Sequence, residues 1–160
     1  MRLSFATNGN SKLLVPKDVP GYSETPLVRK LGIKASFRVA LVKAPIEFAR
    51  ELDLPPEVKT NSRSREPLDF VLLFVKSEKE LRVAFSQYAA RIKSSGMLWV
   101  AWPKKSSGVA SDLSFNNVQA IGLAAGLVDT KICAVDEVWS GLRFVFRLKD
   151  RSKATAQKMI

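Results

Sequence analysis

Uninterrupted apolar runs alternate along the chain with segments whose apolar residues recur at helical spacing. The runs at residues 38–44 (RVALVKA), 69–75 (DFVLLFV) and 97–102 (MLWVAW) have the length of strands. Because polar residues do not alternate within them, they predict strands covered on both faces, as in a parallel sheet. Residues 58–63 (VKTNSR) form a weaker and more polar strand pattern. We therefore expect buried central strands, with this polar strand near one edge.

Helix signals lie between these strands. Ser77 followed by Glu80 is a capping box, and it predicts a helix that ends at Gly96. Ser114 predicts the N-cap of the next helix, which Gly126 ends. Two shorter helices are predicted from their proline starts and their glycine or proline ends: one from Thr25 and Pro26 to Gly32, and one over PIEFARELDL, ended by Pro55 and Pro56.

The last two apolar segments predict a hairpin. LVDTKICAVDEV and LRFVFRL resemble strands, and only WSG separates them. We expect a tight turn there, with Gly141 at positive φ, a conformation that glycine reaches without a Cβ clash. The hairpin makes the last strand antiparallel to its neighbour. Strands that alternate with helices and end in a hairpin indicate an α/β fold with a mostly parallel sheet.

The stretch from DFVLLFV through a helix and SSG to MLWVAWP resembles the second half of the methyltransferase-type Rossmann fold. The resemblance implies a Rossmann-like three-layer sandwich whose strands, numbered along the chain, lie in the order 2-1-3-4-6-5. In such sheets ligands bind beyond the carboxyl ends of the strands, where the order reverses. That edge would collect the loops after Lys43, Val75 and Trp102.

Four segments also resemble a family of small bacterial proteins catalogued as domain of unknown function number three thousand and fifty-two. They are GYSETPLVRKLGIK, PLDFVLLFV, LWVAWPKKSSGVASDL and CAVDEVWSGLRFV, which together span about residues 21–148. The resemblance implies a small cytoplasmic bacterial protein. It brings no activity, cofactor or catalytic residue to these positions.

The length of 160 residues fits one ordinary domain. We expect a flexible N-terminal arm over residues 1–20, a single Rossmann-like domain over residues 21–148 and a basic flexible tail over residues 149–160. No apolar stretch approaches the roughly 20 residues of a membrane helix, and the N-terminus has no apolar block of signal-peptide length. We therefore expect a cytoplasmic protein that does not contact a membrane.

The chain has no histidine and one cysteine, Cys133. Without histidine there is no Ser-His or Cys-His nucleophile pair and no histidine metal site. A single cysteine allows no intrachain disulfide and no cysteine zinc cluster. We expect no catalytic residue, no metal and no cofactor, and Cys133 as a buried packing residue. This composition argues against an enzyme without excluding one.

A nucleotide cofactor places two demands on the predicted ligand edge: a glycine-rich turn after the first strand, and an acidic residue at the end of the second. The first turn reads VKAPIEF and has no glycine. The second strand ends in Asn61, Ser62 and Arg63. The sequence therefore predicts a methyltransferase-like fold whose cofactor site is absent or rebuilt.

The loop after MLWVAW supplies cations, hydroxyls and flexible backbone, all of which a phosphate or carboxylate can use. Together with the lysine that ends the first strand, the predicted ligand-binding residues are Lys43, Lys104, Lys105, Ser106, Ser107, Gly108 and Asp112. A solvated surface turn is the alternative interpretation of this loop. Asp112, near two lysines, is a counter-ion more readily than a general base.

The net charge of +11 favours anionic partners. We expect a phosphate-bearing or carboxylate ligand or a protein partner, and the leading hypothesis is a non-catalytic binding or regulatory module. The first alternative is a diverged transferase that uses a nucleoside cofactor of the S-adenosylmethionine type. Charge-driven nucleic-acid binding is the second alternative, although no nucleic-acid-binding motif is present.

Overall fold

The computed structural model describes residues 25–60 and 65–151, which form four α-helices and five strands. The helices are α1 (Leu27–Leu31), α2 (Ile46–Glu51), α3 (Glu78–Ala89) and α4 (Phe115–Ala124). The strands are β1 (Val39–Val42), β2 (Leu68–Phe74), β3 (Ile92–Pro103), β4 (Leu127–Ala134) and β5 (Trp139–Phe146). Single 3₁₀ turns cover Lys105–Ser107 and Leu148–Asp150. The predicted arm and residues 152–160 of the predicted tail lie outside the described residues.

The five strands form one mixed sheet in the order β1-β2-β3-β5-β4. β1, β2 and β3 are parallel, whereas β5 is antiparallel to both β3 and β4. The mixed α/β sheet is confirmed, but the order of six strands, 2-1-3-4-6-5, is not found. The described part of the segment predicted as the second strand makes a single parallel bridge, between Lys59 and Arg38, beside β1. This polar segment offers little apolar surface to pack on a sheet, which explains the short pairing.

Helices cover both faces of the sheet. α3 and α4 pack on one face through Phe85 and Val118, and α1 and α2 pack on the other through Leu31 and Phe48. Trp99 of β3 is fully buried, and its indole Nε1 donates a hydrogen bond to the carbonyl oxygen of Leu31 at 2.8 Å. Burying one such large apolar side chain stabilises a fold by about 1.5–3 kcal/mol. Apolar packing on both faces of the sheet therefore holds the strands in place and so fixes the positions of their carboxyl ends.

Several helix boundaries follow the sequence signals. Ser77 Oγ accepts a hydrogen bond from the N–H of Glu80 at 3.1 Å, so the predicted start of α3 is confirmed. Ser114 is the N-cap of α4, and its N–H donates to Oδ1 of Asn117 at 2.7 Å. Gly32 ends α1 with a φ of 93°. No helix in residues 25–60 or 65–151 has the length and apolar character to cross a membrane.

Three predicted helix boundaries are wrong. α2 ends at Glu51, before the expected end at Pro55 and Pro56, because the backbone is already extended at Leu52. α1 begins after Pro26, which is its N-cap in place of Thr25. α3 ends at Ala89, and Gly96 lies inside β3, where the register with β2 shifts. A Cβ at Gly96 would lie 3.0 Å from the carbonyl oxygen of Leu68. The glycine therefore allows two strands to approach closely and does not end a helix.

β4 and β5 form the predicted hairpin, but residues 135–138 make the turn, not WSG. Asp136 shapes that turn, because its Oδ1 accepts the N–H of Val138 at 2.8 Å. The expected positive φ at Gly141 is wrong, since Gly141 pairs inside β5 with an ordinary backbone. Packing restricts this position instead: a Cβ would lie 3.1 Å from Cε3 of Trp99.

Candidate functional site

The carboxyl ends of the three parallel strands meet at one edge of the sheet. Lys43 follows β1, Val75 and Lys76 follow β2, and Lys104 follows β3. The hairpin turn comes alongside, because the N–H of Lys104 donates to the carbonyl oxygen of Val138 at 2.7 Å. This is the edge at which open α/β sheets bind ligands.

Three aromatic side chains form a wall at this edge. Phe74 ends β2, and its ring packs edge-on against Phe48 of α2 and Trp139 of β5, with ring centroids 5.0 Å apart in both pairs. Phe48 and Trp139 are each only 8% exposed. The wall separates two cavities, one beside α1 and α2 and one above the ends of β1 and β2.

The first cavity, which we call the α1–α2 cavity, has a volume of about 460 Å³. Phe48, Trp139 and Leu27 supply its apolar lining. Its charged lining residues are all acidic: Glu47, Glu51, Asp53 and Asp136. In a chain with a net charge of +11, this lining without lysine or arginine is a local reversal of charge.

The carboxylates of the α1–α2 cavity differ in their contacts within the protein. Oδ1 of Asp136 accepts two hydrogen bonds in the hairpin turn, from the N–H groups of Val138 and Trp139. Glu47, Glu51 and Asp53 are exposed at the surface and form no ion pair with another described residue. Three carboxylates at this cavity can therefore accept hydrogen bonds from a ligand.

The second cavity, which we call the lysine cavity, has a volume of about 300 Å³ and is lined by Lys43, Lys76, Glu80, Pro45, Phe74 and Trp139. Nζ of Lys43 lies 2.7 Å from Oε2 of Glu80. The other carboxylate oxygen, Oε1, accepts the backbone N–H of Lys76 at 2.9 Å. Pro45 and Trp139 also line the α1–α2 cavity, so the two cavities adjoin.

Two features of the lysine cavity depart from ordinary surface structure. Lys43 has a φ of 59°, the left-handed conformation that glycine adopts most easily. Partial burial raises the pKa of Glu80, but the hydrogen bonds from Lys43 and the Lys76 backbone, and the charges of both lysines, outweigh it. The pKa of Glu80 is therefore lowered, and its carboxylate is charged at neutral pH.

The predicted loop after β3 forms a separate surface feature. Residues 105–107 make a 3₁₀ turn that ends at Gly108, with a φ of 77°. Oγ of Ser107 donates to the carbonyl oxygen of Lys104 at 2.6 Å, so this hydroxyl already serves the turn. Lys104 and Lys105 line a third cavity, of about 380 Å³, whereas Lys43 lines the lysine cavity. Ser106 and Gly108 are exposed and line neither of these two cavities.

Asp112 has a structural contact. Its Oδ1 accepts the N–H of Glu78 at 2.8 Å, in the first turn of α3, and its carbonyl oxygen accepts Nδ2 of Asn117 at 2.8 Å. The carboxylate therefore satisfies a free helix N–H, and the interpretation of Asp112 as a counter-ion for the lysines is replaced by this contact. Cys133, expected to be buried, is only partly buried; burial raises the pKa of its thiol, against the charges of Lys30, Lys131 and Arg143.

Local patterns do not reveal the residues that build the two adjoining cavities. PIEFARELDL, with Phe48 and the acidic residues, predicts only a helix, and WSG, with Trp139, predicts only a turn. Glu80 was recognised as a capping residue, and its contact with Lys43 depends on two elements 37 residues apart. The available signal was a lysine at the end of an apolar run with proline two residues later, in VKAP.

Comparison with solved structures identifies the fold. Magnesium protoporphyrin IX methyltransferase from Synechocystis PCC 6803, with bound SAM, is similar with a TM-score of 0.50 and 10% identity, over 76% of this chain and 74% of that one. A ribosomal protein L11 methylase from Lactobacillus delbrueckii subsp. bulgaricus gives a TM-score of 0.51 and 9% identity, over 76% and 75%. The chain has a methyltransferase-like Rossmann fold. No family model matches the sequence, and no curated protein matches it.

These structural neighbours correct the leading functional hypothesis. A non-catalytic module that recognises an anionic ligand or a protein partner was expected from the basic loop and the missing histidines. The similar structures are methyltransferases, and they favour the alternative, a diverged transferase of the S-adenosylmethionine type. The basic loop misled because net charge describes the whole surface and not the lining of one cavity.

Proposed function

We propose that the protein is a diverged transferase with a nucleoside cofactor of the S-adenosylmethionine type, held in the α1–α2 cavity. The observation that carries the proposal is an aromatic cavity with acidic charged residues at the carboxyl edge of a methyltransferase-like sheet. Its volume of about 460 Å³ lies within the range of small-molecule sites, roughly 300–1,000 Å³.

The chemistry of the lining fits such a cofactor. Phe48 and Trp139 offer apolar ring surfaces against which a flat base can pack. Carboxylates accept hydrogen bonds from ribose hydroxyls, and Glu47, Glu51 and Asp53 are placed to do so. Their negative charge also favours a positively charged sulfonium group. The same lining would disfavour a phosphate, which supports a nucleoside without phosphates.

The turn after β1 requires a changed pose. The segment VKAPIEF has no glycine, and Pro45 has no N–H to donate to a ligand. Side chains therefore stand where a Rossmann fold usually brings bare backbone against its ligand. A cavity displaced to the side of α2 accommodates the nucleoside without that turn.

In this proposal the cofactor supplies an electrophilic methyl group on sulfur. Phe48, Phe74 and Trp139 keep water from the edge of the sheet, because their rings pack against one another at 5.0 Å. The carboxylates orient the nucleoside by hydrogen bonds. Membership of the bacterial family indicated by WVAWPKK and WSGLRFV stays a prediction and adds no activity to the proposal.

Isothermal titration calorimetry with S-adenosylhomocysteine tests the proposal. We expect micromolar binding to the full chain and about tenfold weaker binding by Asp53→Asn, the cost of one hydrogen bond to a charged group. Glu137→Gln is the matched control, since Glu137 is exposed in the hairpin turn and does not line the cavity. Absence of binding at millimolar S-adenosylhomocysteine would refute the proposed function.

A further inference from the structure

The lysine cavity adjoins the α1–α2 cavity and has the opposite charge. The charged residues of the lysine cavity are Lys43, Lys76 and Glu80. Two lysines and one carboxylate give this cavity a net positive charge. A cofactor of the proposed type has a nucleoside at one end and an amino-acid carboxylate at the other. The positive charge of the lysine cavity suits the carboxylate, and the acidic lining of the α1–α2 cavity suits the hydroxyl groups of the nucleoside.

The contacts of Lys43 do not explain why a residue other than glycine has the left-handed backbone conformation there. Its ion pair with Glu80 leaves the lysine side chain 64% exposed, and exposed ion pairs contribute only about 0–1 kcal/mol. A left-handed φ costs a residue other than glycine a comparable amount, about 1–2 kcal/mol. Stability alone therefore gives no reason for lysine rather than glycine at this turn. The position brings an ammonium group into the lysine cavity, beside Pro45 and Trp139, which also line the α1–α2 cavity.

We infer that Lys43 replaces the glycine turn of the fold as a recognition element and binds the carboxylate at the amino-acid end of the cofactor. The carboxylate of Glu80 positions the ammonium group of Lys43. The backbone N–H of Lys76 holds that carboxylate in turn, by a hydrogen bond of 2.9 Å to its Oε1. Lys76 adds the second positive charge. This inference rests on the proposed function and extends it from the nucleoside end to the opposite end of the ligand.

A pair of ligands separates the inference from the proposed function. S-adenosylhomocysteine carries the amino-acid carboxylate and its α-ammonium, and 5′-methylthioadenosine has the same nucleoside and sulfur without either group. A lysine would repel the ammonium, so a preference for S-adenosylhomocysteine that depends on Lys43 reports on the carboxylate. For the unmodified chain we expect calorimetry to give about tenfold tighter binding of S-adenosylhomocysteine, as for one charge-assisted contact. For Lys43→Met we expect that preference to fall to about twofold or less, with the affinity for 5′-methylthioadenosine unchanged.

Lys34→Met is the matched control, because Lys34 is an exposed lysine that lines neither the lysine cavity nor the α1–α2 cavity. It should keep the full preference. The inference is wrong if the unmodified chain binds both ligands equally, if Lys43→Met keeps the preference, or if Lys105→Met removes it instead. In those cases the proposed function stands, since the nucleoside still binds. If neither ligand binds the unmodified chain, the proposed function fails and the inference fails with it.

Discussion

Two turns at the same edge of the sheet share one backbone conformation and use it differently. After β3, Gly108 takes the left-handed conformation with a φ of 77°, and nothing lies within 4 Å of where its Cβ would be. After β1, Lys43 takes the same conformation with a φ of 59°. In the first turn the left-handed position is occupied by glycine, which adopts this conformation without strain, and in the second it is occupied by a charged residue.

The two turns also differ in their contacts with the rest of the molecule. The hydroxyl of Ser107 bonds within its own turn, and Ser106 is exposed. Lys43 contacts Glu80 from another element and lines the lysine cavity together with Trp139. The loop after β3 is richer in residues that could bind an anion, yet the turn after β1 is the one whose charged side chain contacts a residue of another element in a cavity. Residue type alone is therefore a weaker indicator of a binding site than residue type combined with an unfavourable backbone conformation.

The largest effect that sharpens this comparison is expected at Trp139. Trp139→Ala removes a side chain that is 8% exposed and opens the wall between the two cavities. We expect the free energy of unfolding to fall by about 3 kcal/mol, measured by urea denaturation. Ser106→Ala, in the other turn, should change it by less than about 0.5 kcal/mol. Equal effects at both positions would mean that the wall beside Lys43 is no better packed than the loop after β3.

Much of the fold was predictable because its signals are local. Strands β2 and β3 are long apolar runs, and Ser77 and Ser114 cap their helices through contacts three residues away. The hairpin was predicted, but its turn was misplaced. Glycine in WSG is the more familiar turn signal, whereas Asp136 makes the turn by accepting two backbone N–H groups. Gly141 is required for a reason that no local pattern shows: a Cβ there would lie 2.8 Å from Cγ2 of Val135 and 3.1 Å from Cε3 of Trp99.

The candidate site was less predictable because tertiary packing assembles it. Lys43 could be placed at the ligand edge from the end of its apolar run alone. The sequence could not tell that Lys104 and Lys105 face a different cavity, because side chains from distant segments complete each lining: Ile132 in their cavity and Trp139 in the lysine cavity. The acidic residues of α2 could be assigned to a helix. Which cavity they border depends on how α1 and the hairpin turn pack beside α2.

The two left-handed positions give a paired prediction of intermediate size. Gly108→Ala should lower the free energy of unfolding by about 1 kcal/mol, because alanine is strained at a φ of 77°. Lys43→Gly should raise it by roughly 0.5 kcal/mol, because relief of strain outweighs a weak exposed ion pair and the flexibility of glycine. Urea denaturation of both variants measures the difference. A loss of more than about 1 kcal/mol in Lys43→Gly would show that Lys43 holds the fold itself, and the comparison would break.

The smallest expected effect concerns the pH dependence that Glu80 gives to the turn after β1. Its pKa is lowered in the folded protein from an ordinary value of 4.5, so the folded state binds the proton less readily than the unfolded chain. The stabilisation is complete above the unfolded pKa and is lost as the pH falls through the folded one. Glu80→Gln should therefore lower the urea midpoint at neutral pH and lower it less at about pH 3.

Glu137→Gln provides the reference for that measurement, since Glu137 is an exposed carboxylate of the hairpin turn without a lysine partner among the described residues. Its urea midpoint should stay close to that of the unmodified chain at both pH values. Lys43→Met should reproduce part of the Glu80→Gln effect, because removal of either charge breaks the same ion pair. A Glu80→Gln effect that stays constant between neutral pH and about pH 3 would come from lost packing or capping rather than from charge. The positioning of the Lys43 ammonium by Glu80 would then have no electrostatic basis.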